Sequence, residues 1–293
     1  MLRRPLTVLL AIAAGAACSP ATQRPFDKDD LGQPLTLERP ATRVVSLAPS
    51  MTELLYAIGA GPRLVGRSKW DEYPPQVSAV PSVGDGLAPN VEAVAATKPD
   101  LVLLYASPRN ANALEQFSAL GIEALNYRMD RLDDVPRLAR VIGRLTGVED
   151  GANGIASVFE RQLDSARRAS RSAAQGPRVV LVAWNDPPDV LGAGSFLSEI
   201  VDLAGGRNVF DDVTTADATV TIEAIAARKP DLVVVLDTSA IARLSTRPEW
   251  RALEAVRDGR FVVAHGTEFG QPSFRAIQAA ARLRAMFRER SKP

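Results

Sequence analysis

Cysteine and histidine are nearly absent from this chain of 293 residues, which carries one of each, Cys18 and His265. A single cysteine excludes any disulfide within one molecule. A single histidine argues against a zinc or manganese centre built from several nitrogen and oxygen ligands. A Ser–His–Asp triad would have to use His265, with nothing to identify its partners. Aromatic residues make up only 5%, so the few beside a binding site carry weight. Charge of one sign is also lacking: the formal net charge is +1, without the basic stripe that nucleic acid requires. No Gly-x-Ser-x-Gly elbow, Walker loop or Gly-x-Gly-x-x-Gly fingerprint occurs, and the chain is expected not to be an enzyme.

The amino terminus reads as an address. Arg3 and Arg4 precede an apolar stretch over 6–14 that is too short to span a bilayer. Gly15-Ala16-Ala17-Cys18 then places small residues directly before the cysteine, as in a bacterial lipoprotein signal. Residues 1–18 are therefore expected to be a lipoprotein signal peptide with Cys18 lipidated, an ordinary cleaved signal being the alternative. Residues 19–42 read as a polar tether followed by a short lead-in strand over 33–37.

One stretch is written twice. Glu92-Ala-Val-Ala-Ala-Thr-Lys-Pro-Asp-Leu-Val returns as Glu223-Ala-Ile-Ala-Ala-Arg-Lys-Pro-Asp-Leu-Val, identical at nine of eleven positions and offset by 223 − 92 = 131 residues. Each copy reads as a short helix with a glutamate in its first turn, a Lys-Pro-Asp stop and an apolar strand. So long an offset implies two similar lobes rather than a solenoid, and a cleft between lobes is a favoured small-molecule site.

Helical and strand-like runs alternate through both halves, which predicts parallel sheets flanked by helices. The expected fold is α/β, with two Rossmann-like lobes at 43–148 and 175–293. They are joined by a single long rigid helix over 149–174, whose composition has too little glycine and proline for a hinge. Ser50-x-x-Glu53 reads as a capping box that starts a helix, and Ser195 as the cap of another.

These residues carry a resemblance. Arg43-Val-Val-Ser-Leu-Ala-Pro-Ser-x-Thr-Glu-Leu, Val65-Gly-x-Ser-x-Trp-Asp-Glu-Tyr-Pro-Pro75, Val83-Gly84, Asn90-x-Glu92, Lys98-Pro-Asp-Leu-Val102 and Ala204-Gly-Gly-Arg-Asn-Val-Phe210 together resemble the helical-backbone class of periplasmic solute-binding proteins. That class serves ABC importers of cobalamin, ferric siderophores and haem, and the match is closest to the cobalamin branch. The resemblance implies a monomeric, lipid-anchored periplasmic protein that hands its ligand to a permease homodimer in the inner membrane, with ATPase subunits on other chains. It implies that Glu92 and Glu223, one per lobe, dock against arginines of the two permease subunits. It implies cobalamin or a related corrinoid in the cleft, with haem or a ferric siderophore as alternatives, and no cofactor or bound metal of the protein's own. Trp70, Tyr105 and the segment Glu268-Phe269-Gly270-Gln271-Pro272 match positions that face the ligand or lie beside it. Tyr105 or His265 would be an axial ligand for haem. The sequence departs from the family at Gly86, where a tryptophan can cover the ligand, and at Asp189, where an aromatic can follow Pro187-Pro188. A non-transporting anchored scaffold or sensor is the remaining alternative; it would be expected to lose the glutamate pair, and both are present.

Overall fold

A computed structural model describes residues 28–172 and 176–290. In chain order its elements are β1 (Val44–Ser46), α1 (Pro49–Ala57), β2 (Leu64–Arg67), α2 (Val91–Ala96), β3 (Leu101–Tyr105), α3 (Ala111–Ala119), β4 (Glu123–Tyr127), α4 (Asp134–Leu145) and α5 (Glu149–Ser172). Then follow β5 (Arg178–Asn185), β6 (Pro188–Leu191), α6 (Phe196–Leu203), β7 (Arg207–Asn208), β8 (Asp217–Thr219), α7 (Ile222–Ala227) and β9 (Leu232–Val235). The last are α8 (Ser239–Thr246), α9 (Glu254–Arg257), β10 (Phe261–Val263), α10 (Thr267–Gly270) and α11 (Ala276–Arg290).

The first sheet has the order β2-β1-β3-β4 and is parallel throughout. The second has the order β10-β9-β5-β6-β8, with β7 beside β5. Its β10, β9, β5 and β7 pair in parallel, but β6 and β8 are antiparallel. The expectation of two parallel sheets therefore holds for the first lobe and is corrected in the second. There β5 turns directly back into β6 through a connection too short for a crossover, which only antiparallel strands permit.

Strand residues alternate between two cores, as the pleat requires. In β3, Leu101 and Leu103 face one core while Val102 and Leu104 face another. In β9, Leu232 and Val234 face that same first core, with Val233 and Val235 turned outward to a third. The first core runs unbroken through both lobes and contains buried residues of α1, α4, α5, α6 and α11. The helical layer between the sheets is thus shared by the two lobes.

The connecting helix α5 runs for 24 residues without a break. It buries Ala152, Ala156, Phe159 and Leu163, a stripe at helical spacing. Phe159 meets Phe274 of the second lobe edge to face, with centroids 5.2 Å apart. Gly143 lets α4 close on α5, since a Cβ there would lie 2.3 Å from that of Ala152.

The repeat is a repeat in space as well. Asn90 caps α2 by accepting from the Ala93 amide at 3.0 Å, and Thr221 caps α7 by accepting from Ala224 at 3.2 Å. Lys98 and Lys229 are the only non-glycine residues with positive φ among those described, at 50° and 45°, at the helix-end position usually held by glycine. The aspartates that follow clamp the neighbouring strand. Asp100 accepts from the Arg43 amide at 2.9 Å, and Asp231 from the Arg178 amide at 2.7 Å.

Two local expectations are corrected. Residues 33–37 form no strand, because the Thr36 amide bonds the Glu123 carboxylate at 3.0 Å instead of a ladder partner and Pro34 has no N–H to give. The box at Ser50 and Glu53 does not cap α1, which starts after Ala48 without a side-chain cap and with Pro49 in its first turn. Glu53 is buried and points across to the other lobe, where Arg275 takes it in a two-pronged ion pair at 2.7 and 2.6 Å. Ser195 does cap α6, accepting from the Leu197 amide at 3.2 Å. No helix among the described residues is long and apolar enough to cross a membrane.

Candidate functional site

Ligands of open α/β sheets bind outside the carboxyl ends of the strands, and in the first lobe those ends open onto a cleft of about 840 Å³ between the lobes. The first lobe lines it with residues after β1 (47–50), with Trp70, 85–87 and Tyr105, and with 129–131 after β4. The second contributes 194–196, Thr214, Ala216 and 270–272. A hollow of about 580 Å³ adjoins it, shares Pro49, Trp70, Gly270 and Gln271, and adds Glu72, Tyr73, Leu236 and His265.

Trp70 stands between the two spaces with 58% of its surface exposed. The Lys69 ammonium lies 4.6 Å from its ring and pairs with Asp85 at 2.9 Å. Behind it, Asp71 is buried and accepts from Thr52 Oγ1 and Ser68 Oγ, both at 2.6 Å. Burial raises the Asp71 carboxyl above its ordinary range, against the pull of those hydroxyls. Tyr105 ends β3 at the cleft wall and donates its hydroxyl to Asp130 at 2.7 Å. Burial and that carboxylate push the phenol up to about 12.

The carboxy-terminal segment divides. Gly270, Gln271 and Pro272 line the cleft. Glu268 lines neither space: the short turn of α10 directs it to α11, where it pairs with Arg282 and lies 3.6 Å from Arg275. Phe269 touches only the second hollow and is otherwise core, 3% exposed, with the Arg282 guanidinium 5.6 Å from its ring. His265 is exposed and lines the second hollow alone.

The departure at Gly86 has a local cause. A Cβ on Gly86 would lie 1.9 Å from the Leu47 carbonyl oxygen, so this backbone admits no side chain there. The neighbouring Leu87, 63% exposed, supplies apolar surface to the cleft in its place. Asp189 pairs with Trp184, itself 59% exposed at the end of β5. Neither residue lines either space. Leu87, Arg131 and Phe196 are cleft residues that sequence reasoning missed, and only Leu87, an apolar residue in a turn-rich loop, left a signal.

Glu92 and Glu223 lie outside both spaces, exposed in the first turns of α2 and α7. Each helix runs through its Lys-Pro-Asp stop into a strand, β3 or β9. The carboxyl of Glu223 is held below its usual range by its own backbone amide and the Thr221 hydroxyl. Cys18 lies outside the described residues.

Two α/β lobes on one shared helical layer thus face each other across a cleft whose first-lobe wall carries Trp70 and Tyr105. The periplasmic binding protein family matches residues 44–267, and the chain belongs to that family. Among relatives, it is 30% identical over 272 residues to the uncharacterized ABC transporter substrate-binding lipoprotein YvrC of Bacillus subtilis (strain 168), covering 86% of each chain. Among solved structures, the periplasmic vitamin B12 binding protein BtuF of Vibrio cholerae is 26% identical with a TM-score of 0.70, over 87% of this chain and 99% of that one. The periplasmic heme-binding protein BhuT in complex with two hemes is 25% identical with a TM-score of 0.73, over 85% and 98%.

Proposed function

We propose that this protein is the lipid-anchored periplasmic component of an ABC importer and carries cobalamin or a related corrinoid in its interlobe cleft. The observation that carries the reading is the cleft itself. Trp70, Leu87 and Tyr105 offer exposed apolar faces, while Ser50, Gln271 and Arg131 stand beside them to answer amides. A corrin is broad, amphipathic and fringed with amides, and that mixture of surfaces suits it. The likeness to a vitamin B12 binding protein supports the same ligand. Haem is the second reading, supported by the likeness to a heme-binding protein. For Tyr105 to serve as the axial ligand, iron would have to displace the bond that its hydroxyl donates to Asp130 at 2.7 Å.

Cys18 is the proposed lipid attachment, and Glu92 and Glu223 the proposed docking points for arginines of a permease homodimer. Two exposed carboxylates in matching frames suit a two-fold symmetric partner, since charge-assisted pairs with arginine orient as well as attract. Uptake of labelled cyanocobalamin by cells with and without the protein tests the whole reading. Uptake should depend on it, and equal uptake in its absence would refute the assignment.

A further inference from the structure

A second and fainter repeat joins the lobes. Thr52-Glu53-Leu54-Leu55 with Gly59 on and after α1 corresponds to Ser198-Glu199-Ile200-Val201 with Gly205 on and after α6, at an offset of 199 − 53 = 146 residues. The two glycines adopt the same left-handed φ, 87° and 85°. Each helix sends its glutamate into the other lobe, so the two carboxylates cross in opposite directions.

Glu53, from the first lobe, accepts from Arg275 Nε at 2.7 Å, Arg275 Nη2 at 2.6 Å and Gln271 Nε2 at 3.1 Å. Arg275 is further held by Thr267 Oγ1 at 2.9 Å and lies 3.8 Å from the ring of Tyr73, a first-lobe residue. Glu199, from the second lobe, takes Arg131 Nε at 2.8 Å, the Leu132 amide at 3.2 Å and Arg167 Nη2 of α5 at 3.0 Å. Arg131 also donates to the Ala193 carbonyl. Both carboxylates are shielded, with side chains 5% and 12% exposed.

Neither glutamate lines the cleft, but both grip residues that do. Gln271 and Arg131 are cleft-wall residues, and Ala193 precedes the wall segment 194–196. The grips are separate. The first lies beside the hollow that contains Tyr73 and His265. The second borders a polar hollow of about 450 Å³ lined by Arg131, Arg167 and Asp202, which shares no residue with the first hollow. The shared core joins the lobes, and these two ties cross between them.

We propose that Glu53 and Glu199 are positioning residues that hold the cleft at the width its ligand needs. They act through Arg275, Gln271 and Arg131 without touching the ligand. This rests on the binding reading above and deepens it: the site is preformed, and its affinity draws on that order because little freedom is lost when ligand arrives.

The test uses the full-length protein with spin labels on ketone-bearing residues introduced at 92 and 223, leaving Cys18 untouched. In the wild-type frame the interlobe distance distribution should be narrow with or without cyanocobalamin. Glu53→Gln with Glu199→Gln should broaden it in the free protein, narrow it again on binding, and weaken affinity about tenfold through faster dissociation. Glu53→Gln with Arg275→Gln removes one tie without leaving a buried charge unpaired, and should broaden the distribution in a variant whose fold is secure. A solely stabilising role would lower the melting temperature and leave the width as it was. An unchanged width in both variants overturns the proposal. The distance readout needs no ligand, so a protein that ignores cyanocobalamin yet loosens as described would refute the ligand and leave the ties standing.

Discussion

Trp70→Ala separates ligand binding from everything else the protein does. The ring leaves 58% of its surface exposed. A tryptophan offers up to about 250 Å², so roughly 145 Å² is available, or roughly 3.6 kcal/mol at about 25 cal/mol per Å² if wholly covered. A planar ligand reaches one face of the ring, which halves the gain to ~1.8 kcal/mol and sets the expected loss of affinity at about twentyfold. The fold should not notice, because surface substitutions usually fall within about 0.5 kcal/mol. Titration calorimetry with cyanocobalamin measures the first effect and thermal unfolding the second. An affinity unchanged within about threefold would show that the ring does not meet the ligand, since that ratio is below ~0.7 kcal/mol.

Reversing both charges, Glu92→Lys with Glu223→Lys, should leave cyanocobalamin affinity unchanged and abolish uptake. Losing one partner of a buried charge pair costs about 2–5 kcal/mol, whereas the helix-dipole penalty is only about 0.3–1 kcal/mol each; normal uptake by the variant would end the docking role. Cys18→Ala should move the protein from the membrane fraction to the soluble periplasm, as stable attachment needs more than one acyl chain, and a wild-type protein already soluble would contradict the anchor. Asp71→Asn should change how stability depends on pH. Burial raises the folded-state carboxyl above its unfolded value of 3.8, so Asp71 favours the folded state most fully below that value and its contribution falls as pH climbs through the folded value. The melting temperature of the variant relative to wild type should therefore rise as pH climbs above 3.8, and a constant difference would refute the assignment.

The fold is legible where burial is local and periodic. β3 is buried along its first four residues, and such a run of apolar residues reads as a parallel strand from composition alone. The 24-residue α5 shows itself by a helical stripe and few breakers, and Ser195 by its place before an apolar helix. What stayed hidden depends on partners far along the chain. Glu53 looks like a capping residue, and nothing nearby announces Arg275, 222 residues away. Residues 33–37 alternate like a strand, yet the acceptor for Thr36 is a carboxylate 87 residues on. Of the segment from Glu268 to Pro272, resemblance could not say which residues the α10 turn directs to α11 and which to the cleft.

The central claim is that the cleft takes a corrinoid. Separate titrations of the purified protein with cyanocobalamin, haemin and a ferric hydroxamate, each followed by its own visible absorbance, test it most directly. Saturable one-to-one binding of cyanocobalamin, tighter than either iron chelate, is the expected result. Binding of haemin or the hydroxamate with cyanocobalamin left free would contradict it.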